Sequence, residues 1–178
     1  MGITQTYSLH IMLLGTTNNY HSTPNQELLI LHLLLQNRYA EAYELLSKQQ
    51  PANTCVYYNL ALCLHWSGNF EAALNQLDKI QLAPRMGQAN LPNTDTGYKL
   101  IKSKQDQTDD YLNGISETYI QIFPGLFHDA IIRLKTDCWL MLNNYNKVIA
   151  IASPIAYKGY KDITHALKLA ETANEQRI

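Results

Sequence analysis

The chain of 178 residues carries 14 Lys plus Arg against 15 Asp plus Glu, a formal net charge of -1, and has no run of basic residues able to neutralise a row of phosphates. That balance argues against nucleic acid as a main ligand. Hydrophobic residues make up 46% and charged residues 16%, enough for the core of one ordinary domain but without the run of about 20 apolar residues that a membrane span needs.

In chain order, the apolar stretch Tyr7 to Leu14 is interrupted by Ser8 and His10 and has no basic residue before it, so no signal peptide is expected. Met1-Gly2 with Thr6 matches the myristoylation pattern, but no polybasic patch follows to supply a second membrane signal. Thr23 and Gln26 are spaced as a capping box, with Pro24 at the first helical position, and open a first helix. The dense run Leu28 to Leu35 within it reads as buried, with His32 as a satisfied core histidine.

From there a pattern recurs three times: an apolar helix, a break rich in Asn or Gly, an aromatic residue, and apolar residues three, four and seven positions later. The second helices carry Tyr39, Ala42, Tyr43 and Leu46, then Phe70, Ala73, Leu74 and Leu77, then Tyr145, Val148, Ile149 and Ala152. Each set is one stripe at helical spacing and is expected to face a core. The breaks Asn37-Arg38, Gly68-Asn69 and Asn143-Asn144 suit a left-handed helix end followed by a cap. The preceding helices carry matching stripes at Gln26, Leu29, Ile30 and Leu33, and at Tyr57, Leu60, Ala61 and Leu64. Pro51 and Asn53 mark the start of the third helix, and a helix from about 127 to 142 follows the Pro124-Gly125 break with Phe127, Ile131, Leu134 and Cys138 inward.

The segment Tyr57 to Pro84, with Leu60, Ala61, Leu64, Gly68, Phe70, Ala73, Leu77 and Ile80, resembles one complete tetratricopeptide repeat, and the flanking units are looser matches. Thr136 stands where that family has a small apolar residue. The expected fold is therefore all-α, with antiparallel helical hairpins stacked as a right-handed solenoid of seven or eight helices. The chain reads as one repeat domain over 1–178: repeats at about 24–50, 53–84 and 126–153, a degenerate repeat or insertion at 85–123, and a capping helix at 161–177. The front of the insertion, with Pro84, Gly87, Pro92 and Gly97, reads as a mobile loop; Tyr111, Ile115, Tyr119 and Ile122 have helical spacing despite Gly114.

No motif with a catalytic or nucleotide-binding mechanism is present, so no enzyme activity and no cofactor are expected. Asp109, Asp110 and Glu117 lack a neighbouring nucleophile and read as a solvated helix start. Cys63 and His65, two apart on a helix, point about 200° apart, so no metal site is expected. The three cysteines, Cys55, Cys63 and Cys138, form no CxxC pair and are odd in number, which suits buried free thiols in a reducing compartment, the cytoplasm.

The first helices of the repeats carry a second stripe, about 130° round from the core stripe. It comprises Glu27, Leu31, Leu34 and Leu35 in one repeat and Tyr58, Leu62, His65 and Trp66 in the next, with Arg133 and Asp137 on the same face of the last. In the family these helices line a concave groove, so the resemblance implies an apolar, aromatic site for another protein or peptide. The same stripe could instead be covered by Tyr7 to Leu14 or by the Arg85 to Ile122 insertion, or form a homodimer contact. The family members that grip acidic chaperone tails use Lys and Asn on the first helix and Asn on the third. Glu27 and Leu31 do not fit that pattern and Asn59 alone does, so such tails are disfavoured.

Overall fold

The computed structural model describes residues 24–50, 52–81 and 95–175. Among them are nine α-helices, two 3-10 segments and no strand: α1 (Pro24–Leu35), α2 (Tyr39–Ser47), α3 (Thr54–Trp66), α4 (Phe70–Leu77), α5 (Thr96–Gln105), α6 (Glu117–Ile122), α7 (Pro124–Met141), α8 (Tyr145–Ala152) and α9 (Lys161–Glu175). Gly2, the Tyr7 to Leu14 stretch, the Thr23 cap and residues 82–94 at the front of the insertion lie outside the described residues, whereas Gly97, expected in a loop, lies in α5 behind the Asp95 cap.

The hairpins form by one repeated piece of local chemistry. Asn37, Gly68 and Asn143 adopt positive φ of 58°, 80° and 55°. Glycine and asparagine tolerate that region best. At each, the following amide donates to a carbonyl five residues back: Arg38 to Leu33, Asn69 to Leu64 and Asn144 to Trp139. This is the Schellman arrangement, which satisfies carbonyls that the helix end would otherwise orphan. The chain then turns straight into the next helix, and the Asn69 and Asn144 side chains cap it by accepting from the amides of Ala72 and Lys147. Asn53 caps α3 in the same way.

The helices pack in the order α1 on α2, α2 on α3, α3 on α4, α4 on α7, α7 on α8 and α8 on α9. Of the expected inward stripes, Ala42, Leu46, Ala73, Leu74, Leu77, Val148 and Ala152 are buried, whereas Tyr43, expected in the first of them, is 43% exposed. A fully buried Leu such as Leu77 or Leu134 contributes about 1.5–3 kcal/mol relative to exposure. On α9, Ile163, Ala166 and Ala170 are buried against the preceding hairpin.

Because α4 packs directly on α7, the hairpin α7–α8 continues the stack immediately after α3–α4. The Asp78 carboxylate after α4 accepts from Lys135 Nζ at 2.6 Å across that junction. The described part of the segment between them, 95–123, lies outside this order of packing, and its helices α5 and α6 raise the count among the described residues above the expected seven or eight. Tyr111, Ile115, Tyr119 and Ile122 do not lie on one helix. Asp110–Leu112 is a 3-10 turn, Asn113 and Ser116 are extended, and α6 starts only after Ser116, which caps it.

Three further expectations are corrected. Pro124 is the first residue of α7 rather than part of a break, consistent with its fixed φ and missing amide proton. Leu28 and Leu29 are 53% and 49% exposed and His32 is exposed, so among the described side chains of α1 only Ile30, Leu33 and Leu34 are buried. Asp110 is not a solvated helix start, because it pairs with Arg133.

Candidate functional site

Helices α1, α3 and α7 share one face, and the insertion crosses part of it as a strap. Asn59 on α3 reads the strap's main chain: its Nδ2 donates to the Ile115 carbonyl at 2.9 Å and its Oδ1 accepts from the Ile115 amide at 3.0 Å. The Cys55 thiol donates to the same carbonyl at 2.9 Å. One helical turn along, the Tyr58 hydroxyl donates to the Tyr111 carbonyl, and Glu27 on α1 accepts from the Glu117 amide at 2.7 Å. The contacts to Ile115 and Tyr111 are buried and satisfy main-chain groups that would be costly to leave unpaired, whereas the Glu117 amide is at the surface. Gly114 lets the strap come this close: a Cβ there would lie 2.7 Å from Leu34 Cδ1 and 3.1 Å from Leu31 Cδ2.

Arg133 clamps the other edge. Its Nε donates to Asp162 Oδ1 at 3.0 Å, its Nη1 bonds Asp110, and its Nη2 donates to the Thr108 carbonyl at 2.8 Å. The guanidinium lies between the rings of Tyr111 and Tyr160, 4.5 and 4.4 Å from their centroids. Burial opposes its charge, but the bonds to Asp162 and Asp110 outweigh that and raise its pKa. Burial likewise pushes the Asp162 carboxyl up, with Arg133 pulling the other way. The guanidinium ties α7 to both the strap and α9, and its donors are consumed internally.

Beyond the strap, towards the hairpin turns, the face is open among the described residues, as a cleft of about 320 Å³. Its walls come from Trp66 and Leu62 on α3, Tyr39 at the start of α2, Phe70 at the start of α4, and Met141 on α7. Leu112 of the strap closes its inner end. Trp66 is 63% exposed and stacks one face on Tyr39, with centroids 4.8 Å apart. Met141 is 55% exposed. On the polar side, His65 Nε2 lies 2.7 Å from Asp137 Oδ2, to which the Tyr111 hydroxyl also donates at 3.4 Å. His65 meets Phe70 edge-on.

The residues singled out from the sequence therefore separate. Tyr58, Asn59 and Arg133 are buried and engaged by the strap, and Glu27 and Leu31 lie partly beneath it, so none of these is a free contact for a partner. The physical reason is that the strap's main chain supplies the hydrogen-bond partners these polar side chains need. Leu62, His65, Trp66 and Asp137 converge on the cleft, although Leu62 is only 2% exposed and serves as its floor. Leu35, 76% exposed, is not among the cleft's lining residues. Met141, not expected at the site, follows Arg133 and Asp137 at the same four-residue spacing, and Tyr39 and Phe70, which pack partly buried against the core as expected, also line the cleft. Leu112 carried no local signal.

The fold and this face define an all-helical hairpin-repeat protein with a cleft on the face of its first helices. Residues 33–89, a segment that contains α2 to α4, match the tetratricopeptide repeat family model. No curated protein matches the chain, and no solved structure does. Tetratricopeptide repeats generally mediate protein–protein interaction through the extended surfaces that repeat stacking creates. No helix among the described residues is long and apolar enough to cross a membrane.

Proposed function

We propose that this protein is a non-catalytic interaction module that holds a segment of another polypeptide in the cleft between α3 and α7, with Trp66 and Met141 as its principal contacts. The observation that carries the reading is the pairing of exposure with position. Trp66 and Met141 are 63% and 55% exposed, and they flank an open cleft on the repeat face that the strap leaves uncovered. Aromatic anchors that become desolvated on binding tend to dominate interface energies, at about 2 kcal/mol or more each. The buried half of the same face has a different task, holding the insertion.

The test compares proteins recovered from native extract by the parent chain and by a Trp66→Ala, Met141→Ala variant, with quantitative mass spectrometry as the readout. Partners that depend on the cleft should fall severalfold while the thermal melt moves little. Unchanged recovery at unchanged stability would remove the cleft as the binding site. Light scattering on both proteins shows whether the captured partner is a second copy of the chain.

A further inference from the structure

Resting on that reading, we infer that the cleft selects a partner segment presenting a cationic side chain, best an arginine, laid on the outer face of Trp66 with Asp137 as its counter-ion. Two kinds of group meet in one cleft to give this chemistry. Tyr39, Trp66 and Phe70 present aromatic rings, whose negative π-faces attract a cation within about 6 Å. Asp137 places a carboxylate among them, held by the His65 imidazole and the Tyr111 hydroxyl.

A hydroxyl and a neutral imidazole each donate a hydrogen bond without adding a cation to the cleft. Among the described residues lining the cleft there is no Lys or Arg to neutralise it. The nearby cations are engaged elsewhere: Arg38 pairs with Glu41, Lys135 with Asp78, and Arg133 with Asp110 and Asp162. A planar guanidinium suits the site better than an ammonium, because it can stack on the indole while its edge donates to the carboxylate. Leu62, Leu112 and Met141 would cover the apolar stem and the residues beside it.

The probe is the peptide acetyl-Gly-Leu-Arg-Leu-Gly-amide and its citrulline counterpart, which keeps the shape and loses the charge. Binding is read by the indole Nε1–H resonance of Trp66 in the full chain, with the Trp139 indole as the internal control. The arginine peptide should shift the Trp66 signal and bind about tenfold more tightly than the citrulline peptide at low salt. Asp137→Asn, read the same way, and Trp66→Leu, read by titration calorimetry because it lacks the reporter indole, should each remove most of that difference, and added salt should shrink it. Trp66→Leu carries the test if Asp137→Asn proves unstable, because the indole is largely exposed. Equal binding of the two peptides would overturn the cation inference while leaving a polypeptide cleft in place. If neither peptide moves the Trp66 signal up to millimolar concentration, the cation inference falls; loss of the cleft itself is read separately, from unchanged partner recovery by the Trp66→Ala, Met141→Ala variant.

Discussion

Asn59→Ala tests the strap contact most directly. The substitution removes the acceptor of the Ile115 amide and one of two donors to its carbonyl, with the Cys55 thiol left on the latter. Both Asn59 and Ile115 are buried, so water cannot enter freely as a replacement. An orphaned buried donor costs about 1–3 kcal/mol, and the lost bond to the carbonyl adds about 1 kcal/mol, giving an expected loss of about 2–4 kcal/mol. For a chain of this length each kcal/mol lowers Tm by about 2–4 °C, so the melt should fall by about 4–16 °C. Thermal denaturation followed by circular dichroism measures the stability, and amide exchange reads the Ile115 proton itself, which should lose its protection. A change within about 0.5 kcal/mol, the range of an ordinary surface substitution, together with unchanged Ile115 protection, would refute the view that this amide holds the strap.

Leu62→Ala should destabilise by about 2–5 kcal/mol and more than Leu60→Ala, because Leu62 is buried at the base of the cleft whereas Leu60 is only partly buried; urea titrations of both variants would expose an inverted order. Trp66→Ala forfeits mainly the stack on Tyr39 and should cost about 0.5–1.5 kcal/mol, so a loss as large as that of Leu62→Ala would mean the ring is not exposed. Burial pushes the Cys55, Cys63 and Cys138 thiols up to about 12 from 9.0, which leaves about a thousandfold less thiolate at a given pH. A thiol reagent at pH 8 should accordingly find all three in denaturant and almost none in the native chain, and rapid native labelling would contradict their burial. Burial likewise raises the hydroxyls of Tyr58, Tyr111 and Tyr160 above their ordinary value of 10.0. Their contribution to stability is complete below that pH and declines as pH rises through it, since unfolded tyrosines ionise first. Tyrosinate absorbance should therefore show a late phase that coincides with loss of helicity, and complete ionisation ahead of unfolding would oppose the assignment.

The hairpins were legible because everything that makes them lies within a few residues. Asn37, Gly68 and Asn143 can enter the left-handed region, Asn69 and Asn144 can cap the next helix, and stripes such as Ala73, Leu74 and Leu77 announce their buried face through helical spacing alone. The same local logic failed over Tyr111 to Ile122. A four-residue spacing suggested one helix, but the carbonyls and amides there are satisfied by Asn59, Tyr58 and Glu27, more than 50 positions away in the chain. That pairing frees the segment from needing helical hydrogen bonds, and Gly114 permits the close approach to Leu34. The candidate site divided along the same line. Sequence spacing placed Leu62, His65, Trp66 and Asp137 on one face, whereas which part of that face is open depends on where the insertion lands. The strap contacts of Asn59, Tyr58 and Glu27 and the packing of Arg133 between Tyr111, Tyr160, Asp110 and Asp162 decided that, because those partners come from distant segments that no periodic pattern links.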